Sequence, residues 1–295
     1  MRKYFIIIPI LILVYFLSGN DNSSIKTENK RIETDNLIVN MTNYGMENIL
    51  LSEYLNGVVA CEMPALFHDE AIKAGIVAAR TFYLYKYESD KDYKPSNGDQ
   101  CYFSESKRKE NWKDNYELYN EKILNNINLT KNEVITYDGN LIKAFYFSMS
   151  NGYTEDAVNV FKKSEPYLVS VISVFDKDVK NNLSNKSISV NEFKEKLNVD
   201  NDIVINNIVR DSSNRVSEIV INNVNYDGVY FRKLFDLRST DFEIEFNDQE
   251  VIITTRGYGH GVGMSQWGAN EMAKMGYKYK DILKYYYKDV EIMYK

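Results

Sequence analysis

Residues 69–88 read DEAIKAGIVAARTFYLYKYE, and this stretch limits the possible folds more than any other. Ala71, Gly75, Ala78 and Phe82 recur at helical spacing, and all but the last are small. A helix with that stripe lets another element approach closely. His68 or Asp69 opens the helix. Arg80 lies among Ile76, Val77, Tyr83 and Leu84 on a largely apolar face, and a buried arginine needs a partner.

Just upstream, residues 58–67 read VVACEMPALF, with Glu62 alone among nearly apolar neighbours. A charged group costs free energy when it leaves water. Ser52 is placed to cap a helix from Glu53 to about Cys61, and Pro64 stops it. Glu62 is then either a structural acid hydrogen-bonded to a helix end or a general acid. In the second case apolar surroundings raise its pKa, so it holds its proton near neutral pH and can give it to a leaving oxygen. Pairing with Arg80 would lower that pKa. Arg80 is therefore expected to hold another group, or substrate, beside the acid.

Two cysteines occur, Cys61 and Cys101, and His68 follows Cys61 by seven positions. Cys61, His68 and Cys101 could hold zinc with a fourth group or water, although the spacing matches no standard metal motif. The other readings are a Cys61–Cys101 disulfide or unrelated thiols.

The N-terminus combines Arg2 and Lys3 with an unbroken apolar run, Tyr4 to Leu17. It reads as a signal anchor over 1–19, with a cleaved signal peptide as the alternative. Either way the rest of the chain is exported. Residues 20–36 form a polar tether, and residues 37–295 the main domain, with a strand-rich lobe at about 180–250. Asp138-Gly139 marks a hairpin, VNEFKEKL a helix, and the polar stretch from Tyr93 to Asn115 a loop. Strands and helices do not alternate regularly, so the expected class is α+β with mixed helices and short, mostly antiparallel strands. The net charge of −6 and the lack of a basic stripe argue against nucleic acid as a partner.

Near the C-terminus, GYGHGVGMSQWGANEMAKMG places glycines at 257, 259, 261 and 263 around His260. The spacing excludes a phosphate-binding loop. Alternating glycines supply backbone that can lie against a ligand. Ser265 caps a helix that closes at Gly276. The 24 tyrosines suit a tyrosine-rich core, with some left for stacking on sugars.

Several stretches together, EYLNGVVACEMP, DEAIKAGIVAARTF, YFSMSNGYTEDAVNVF with EPYLVSV, and GHGVGMSQWGANEMAKMGYKYKDILKYYY, resemble the stage II sporulation protein D (SpoIID) family, in family order from about residue 50 to 290. The resemblance implies a lytic transglycosylase acting on peptidoglycan during spore engulfment, with no cofactor required by the family. It implies a mother-cell membrane location facing the intermembrane space. The implied partners are an amidase, stage II sporulation protein P, and a membrane scaffold, stage II sporulation protein M. By the same resemblance Glu62 is the catalytic acid, and Arg80, Ser148, Ser150, His260, Ser265 and Gln266 are substrate-binding residues. Lys177 in FDK is a further candidate. The Cys61–His68–Cys101 set has no support from the family. Two rival readings remain: a cysteine peptidase using Cys61 with His68 or His260, and a non-catalytic glycan-binding module that recruits the amidase.

Overall fold

The computed structural model describes residues 33–247 and 249–295. The expected anchor, and the tether up to residue 32, lie outside the described residues. Among the described residues no helix is long and apolar enough to cross a membrane.

Regular structure is present before Leu37. Thr34–Asn36 form a 3-10 turn in which Asp35 is buried. Strands β1 (Ile38–Val39) and β2 (Ile49–Leu50) pair antiparallel and lead into α1 (Leu51–Glu62). Ser52 lies inside that helix, which has no side-chain cap at its start. The chain turns through Pro64 into α2 (Asp69–Ser89), where His68 is the N-cap. Helix α2 is buried from Ala71 to Leu84 on nearly every face, as its lack of a polar side dictates. It packs against α1 and, later in the chain, against α4 (Tyr116–Leu129), β3 (Glu133–Tyr137), α8 (Gln266–Lys274) and α9 (Tyr279–Tyr286). The small stripe has the expected consequence at Gly75, where a Cβ would stand 2.0 Å from Met63 Sδ. The end of α1 can cross α2 so closely only because that atom is missing.

The stretch expected as loop contains a helix, α3 (Glu105–Trp112). Its single buried residue is Arg108, so it shows no apolar stripe, and Ser104 starts it by accepting from Lys107 N. Strand β3 and β4 (Asn140–Leu141) form the hairpin at Asp138-Gly139, and both turn residues have positive φ. Short elements follow: β5 (Tyr146–Phe147), β6 (Gly152–Tyr153), α5 (Ala157–Phe161) and β7 (Ile172–Ser173).

A second hydrophobic cluster lies between residues 188 and 253 and is rich in phenylalanine: Phe193, Phe231, Phe235 and Phe242. It is framed by β8 (Leu183–Ser189), α6 (Val190–Leu197), β9 (Ile205–Arg210), β10 (Val216–Ile221), β11 (Val224–Asp227), α7 (Gly228–Leu234), β12 (Phe242–Phe246) and β13 (Glu250–Arg256). Two antiparallel three-stranded sheets result, β12-β13-β8 and β11-β10-β9. The chain then returns to the first core through β14 (Met264–Ser265), which pairs parallel with β5, and ends in β15 (Glu291–Tyr294) beside β3. Apart from the β5–β14 contact, every ladder among the described residues is antiparallel. The mixed α+β class with short antiparallel strands is the one the sequence leads to.

Candidate active site

Glu62 is the last residue of α1. Its Oε1 accepts a 2.7 Å hydrogen bond from Cys101 N, and its Oε2 accepts one of 3.2 Å from Gln266 Nε2. Burial raises its pKa, and the two hydrogen bonds only partly oppose that. No salt bridge reaches it among the described residues. Its carboxyl opens into a cleft of about 660 Å³.

Aromatic rings form much of the cleft: Phe82, Tyr85, Phe145, Tyr146, Phe161 and His260. Phe145 and Phe161 stack at 4.7 Å. Such faces suit sugar rings, whose C–H surfaces stack on aromatics. Ion pairs form the rim, with Lys86–Asp99 at 3.0 Å and Lys143–Glu165 at 2.6 Å. Burial would raise both of these acids, but the hydrogen bonds from Lys86 and Ser96 to Asp99, and from Lys143 to Glu165, outweigh it and lower their pKa values. Glu62 is thus the one carboxyl among the described residues lining the cleft whose pKa is shifted upward.

Gln100 and Tyr146 complete the surroundings. Gln100 Nε2 donates to Tyr146 Oη at 2.9 Å, and Gln100 Oε1 accepts from Tyr54 Oη at 3.3 Å. Neither Gln100 nor Tyr146 stands out in the sequence. The only clue to Gln100 is its place beside Cys101.

His260 lines the cleft but is held as a neutral ring. Val262 N donates to its Nδ1 at 3.0 Å, and Phe145, Phe147 and Phe161 surround it at 5.5–5.9 Å. Burial first, and then Arg232 and Arg215, pull its pKa down to about 3. A ring so held can donate from Nε2 and is poorly suited to act as a base.

Other expected positions fall elsewhere. Arg80 is fully buried and holds Asp35, through Nε to Oδ1 at 2.6 Å and Nη2 to Oδ2 at 2.9 Å, and Nη1 donates to the Glu133 carbonyl. Its partner is a residue near the start of the described residues, and it does not line the cleft. Ser150 and Ser265 converge on Asp176, a fully buried acid. Ser150 N donates to it at 2.7 Å, and the two serine hydroxyls lie 2.5 Å from its oxygens. Burial raises the pKa of Asp176 against these bonds. The serines therefore latch the loop of Asp176 to the start of α8 and leave no hydroxyl for a ligand. Ser148 supplies its carbonyl to Trp267 N at 3.1 Å and does not line the cleft. Lys177 is exposed in a turn and does not line the cleft, while its neighbour Asp176 is the buried one.

The glycines also have a different task. Gly257 and Gly263 have φ of +77° and +79°, and a Cβ there would come within 2.8 Å of Met149 O and 2.0 Å of Phe145 O. They let residues 257–264 lie against residues 145–149, where Tyr258 and Met149 exchange backbone hydrogen bonds. At these two positions the backbone packs against residues 145–149 of the protein.

Cys61 and Cys101 form a disulfide. Sulfurs bonded to each other are not thiolate ligands, and His68 Nδ1 accepts from Glu70 N at 3.2 Å as a helix cap. The residues do not fit the zinc set, and among the described residues no cluster suited to a metal occurs. The same bond leaves Cys61 without the free thiol a cysteine peptidase needs.

A family profile described as stage II sporulation protein (SpoIID) matches residues 41–137. Stage II sporulation protein D of Bacillus amyloliquefaciens is 40% identical over 262 residues, covering 85% of this chain and 76% of the relative. The chain belongs to the stage II sporulation protein D family. The Bacillus subtilis (strain 168) member is 38% identical over 261 residues, with the same coverage. An amidase enhancer of Bacillus subtilis (strain 168) is more distant, 29% identical over 290 residues, covering 79% of this chain and 39% of that protein. In this SpoIID-family chain, the matched segment holds Glu62 and Gln100, while Gln266 and His260 come from beyond it.

Proposed function

We propose that this SpoIID-family protein is a lytic transglycosylase that cuts the bond between MurNAc and GlcNAc in peptidoglycan strands during engulfment. The observation that carries the reading is the state of Glu62, a carboxyl whose pKa burial raises, which forms no ion pair among the described residues and faces an aromatic cleft. Protonated Glu62 gives its proton to the glycosidic oxygen as the bond to MurNAc C1 breaks. The carboxylate left behind takes the proton of the MurNAc 6-hydroxyl as that oxygen attacks C1. No water is consumed, the product is a 1,6-anhydro sugar, and Glu62 ends protonated again. One carboxyl serves both steps, so Asp99 and Glu165 can remain tied to their lysines. Gln266 and the Cys101 N–H orient the acid, and the aromatic faces take the sugar rings.

The preferred substrate is a strand stripped of stem peptides, prepared by an amidase of the stage II sporulation protein P kind. A scaffold of the stage II sporulation protein M kind gathers the components. The apolar N-terminal run anchors the chain in the mother-cell membrane with the cleft outside the cytoplasm. The relative named an amidase enhancer favours a second reading, in which the cleft binds glycan without cutting it and brings an amidase to the strand.

Mass spectrometry of amidase-stripped peptidoglycan after incubation with the wild type and with Glu62→Gln decides between the two. The first reading expects 1,6-anhydro products from the wild type alone. Ordinary reducing ends, or equal products from both proteins, would overturn it. Binding without any sugar product would favour the second.

A further inference from the structure

We propose that the Cys61–Cys101 disulfide is a positioning element for Glu62, so that cleavage belongs to the oxidised protein. The proposal rests on the transglycosylase reading and adds a requirement to it. Cys61 precedes Glu62 at the end of α1, and the N–H of Cys101 donates to Glu62 Oε1 at 2.7 Å. The residue that supplies the donor is therefore the residue that is covalently tied to the acid's own neighbour. The S–S bond joins segments 40 positions apart, with a Cα–Cα distance of 5.6 Å.

Other contacts hold the loop near α1 without fixing that donor. Phe103 N donates to Gly57 O at 3.0 Å, and Tyr54 Oη of α1 donates to Gln100 Oε1 at 3.3 Å. Neither reaches the acid. With the disulfide open, the loop stays docked at these points but its Cys101 amide can move against the end of α1. Glu62 then keeps only the longer bond from Gln266, at 3.2 Å. A displacement of about 1 Å at a reacting group can cost on the order of a hundredfold in rate, so loosening the acid acts on turnover more than on glycan binding. A dithiol opens the bond by passing two electrons and two protons to it. Cys61 and Cys101 become thiols, and the reductant becomes a cyclic disulfide.

The test compares kcat and KM of the purified full chain on glycan strands from amidase-stripped peptidoglycan. It is run oxidised, reduced with dithiothreitol, and reoxidised, with the folded fraction measured by circular dichroism each time. The expected result is a fall of about tenfold or more in kcat per folded molecule, KM within about twofold, and recovery on reoxidation. An unchanged kcat per folded molecule overturns the proposal, as does a loss carried by KM alone. Should the reduced chain not fold, amide hydrogen exchange on the oxidised protein decides. Protection of the Cys101 amide should be lost in Glu62→Ala with the disulfide intact, and equal protection in both proteins overturns the proposal. Failure of the transglycosylase reading looks different, because neither redox state then yields 1,6-anhydro sugar, and the exchange comparison still tests the positioning.

Discussion

Glu62 and Arg80 sit in adjoining helices, each a charged residue in an apolar stretch, and the fold treats them in opposite ways. Arg80 is sealed from water and fully satisfied, with a two-pronged bond to Asp35 and a third to a backbone carbonyl. Among the described residues Glu62 receives two hydrogen bonds and no counter-charge, and one side of it faces a cleft. A buried charge signals function only when its environment leaves work undone. Arg80 ties the segment around Asp35 to the central helix, and breaking such a pair is costly because one charge is left stranded. Glu62 is held in place but not neutralised, which is the condition for a group that must lose and regain a proton.

The contrast can be broken most sharply at the acid itself. Glu62→Gln keeps the shape and removes the proton, so product formation should fall by about 10²- to 10⁴-fold while the melting temperature does not fall. Mass spectrometry and a thermal melt on one preparation check both halves. Arg80→Met should do the reverse, with a loss of about 3–5 kcal/mol in urea unfolding and an unchanged kcat per folded molecule. A stable but inactive Arg80→Met would return Arg80 to the site. Coupling it with Asp35→Leu should recover much of the stability, since no charge is then left alone.

A subtler change sharpens the electrostatics. Burial raises the pKa of Glu62 and the Gln266 bond lowers it, so Gln266→Met removes a lowering influence while keeping the bulk. On the proposed mechanism the acid works protonated, so activity should be lost as pH rises through its folded-state pKa. That alkaline limb of the pH–rate profile should move to higher pH in Gln266→Met, and a move downward would contradict the assignment. The smallest effect concerns His260. With a pKa near 3 it should stay neutral from pH 8 to pH 5, so its ring nitrogen NMR signals should not titrate in that range.

Local patterns carried much of the fold. The Asp138-Gly139 hairpin, the Ser265 cap and the crossing at Gly75 each depend on a few adjacent residues and were legible for that reason. Helix α3 was not, because a helix whose one buried residue is Arg108 has no hydrophobic period to read. At the site, Glu62 betrayed itself by the cost of its surroundings, whereas Asp176 did not. The donors of Asp176 are Ser150 and Ser265, and Ser265 lies 89 residues away in the chain. The hydroxyls looked available for a ligand until that buried acid was seen to occupy them. Arg80 failed in the same manner, since its partner lies 45 residues upstream in a stretch with the composition of a linker. Motif reading identifies residue types suited to a task, and only tertiary pairing shows which of them are already engaged.

The bond from Gln266 to Glu62 spans 204 positions, and the parallel β5–β14 contact beside it is likewise made late in the sequence. Contacts of such separation form only after a long stretch of chain has been gathered in. A growing polypeptide that already carries Glu62 therefore lacks this contact to it until residue 266 has been synthesised. On the transglycosylase proposal, the order of the sequence would then keep a partly made copy from cutting glycan.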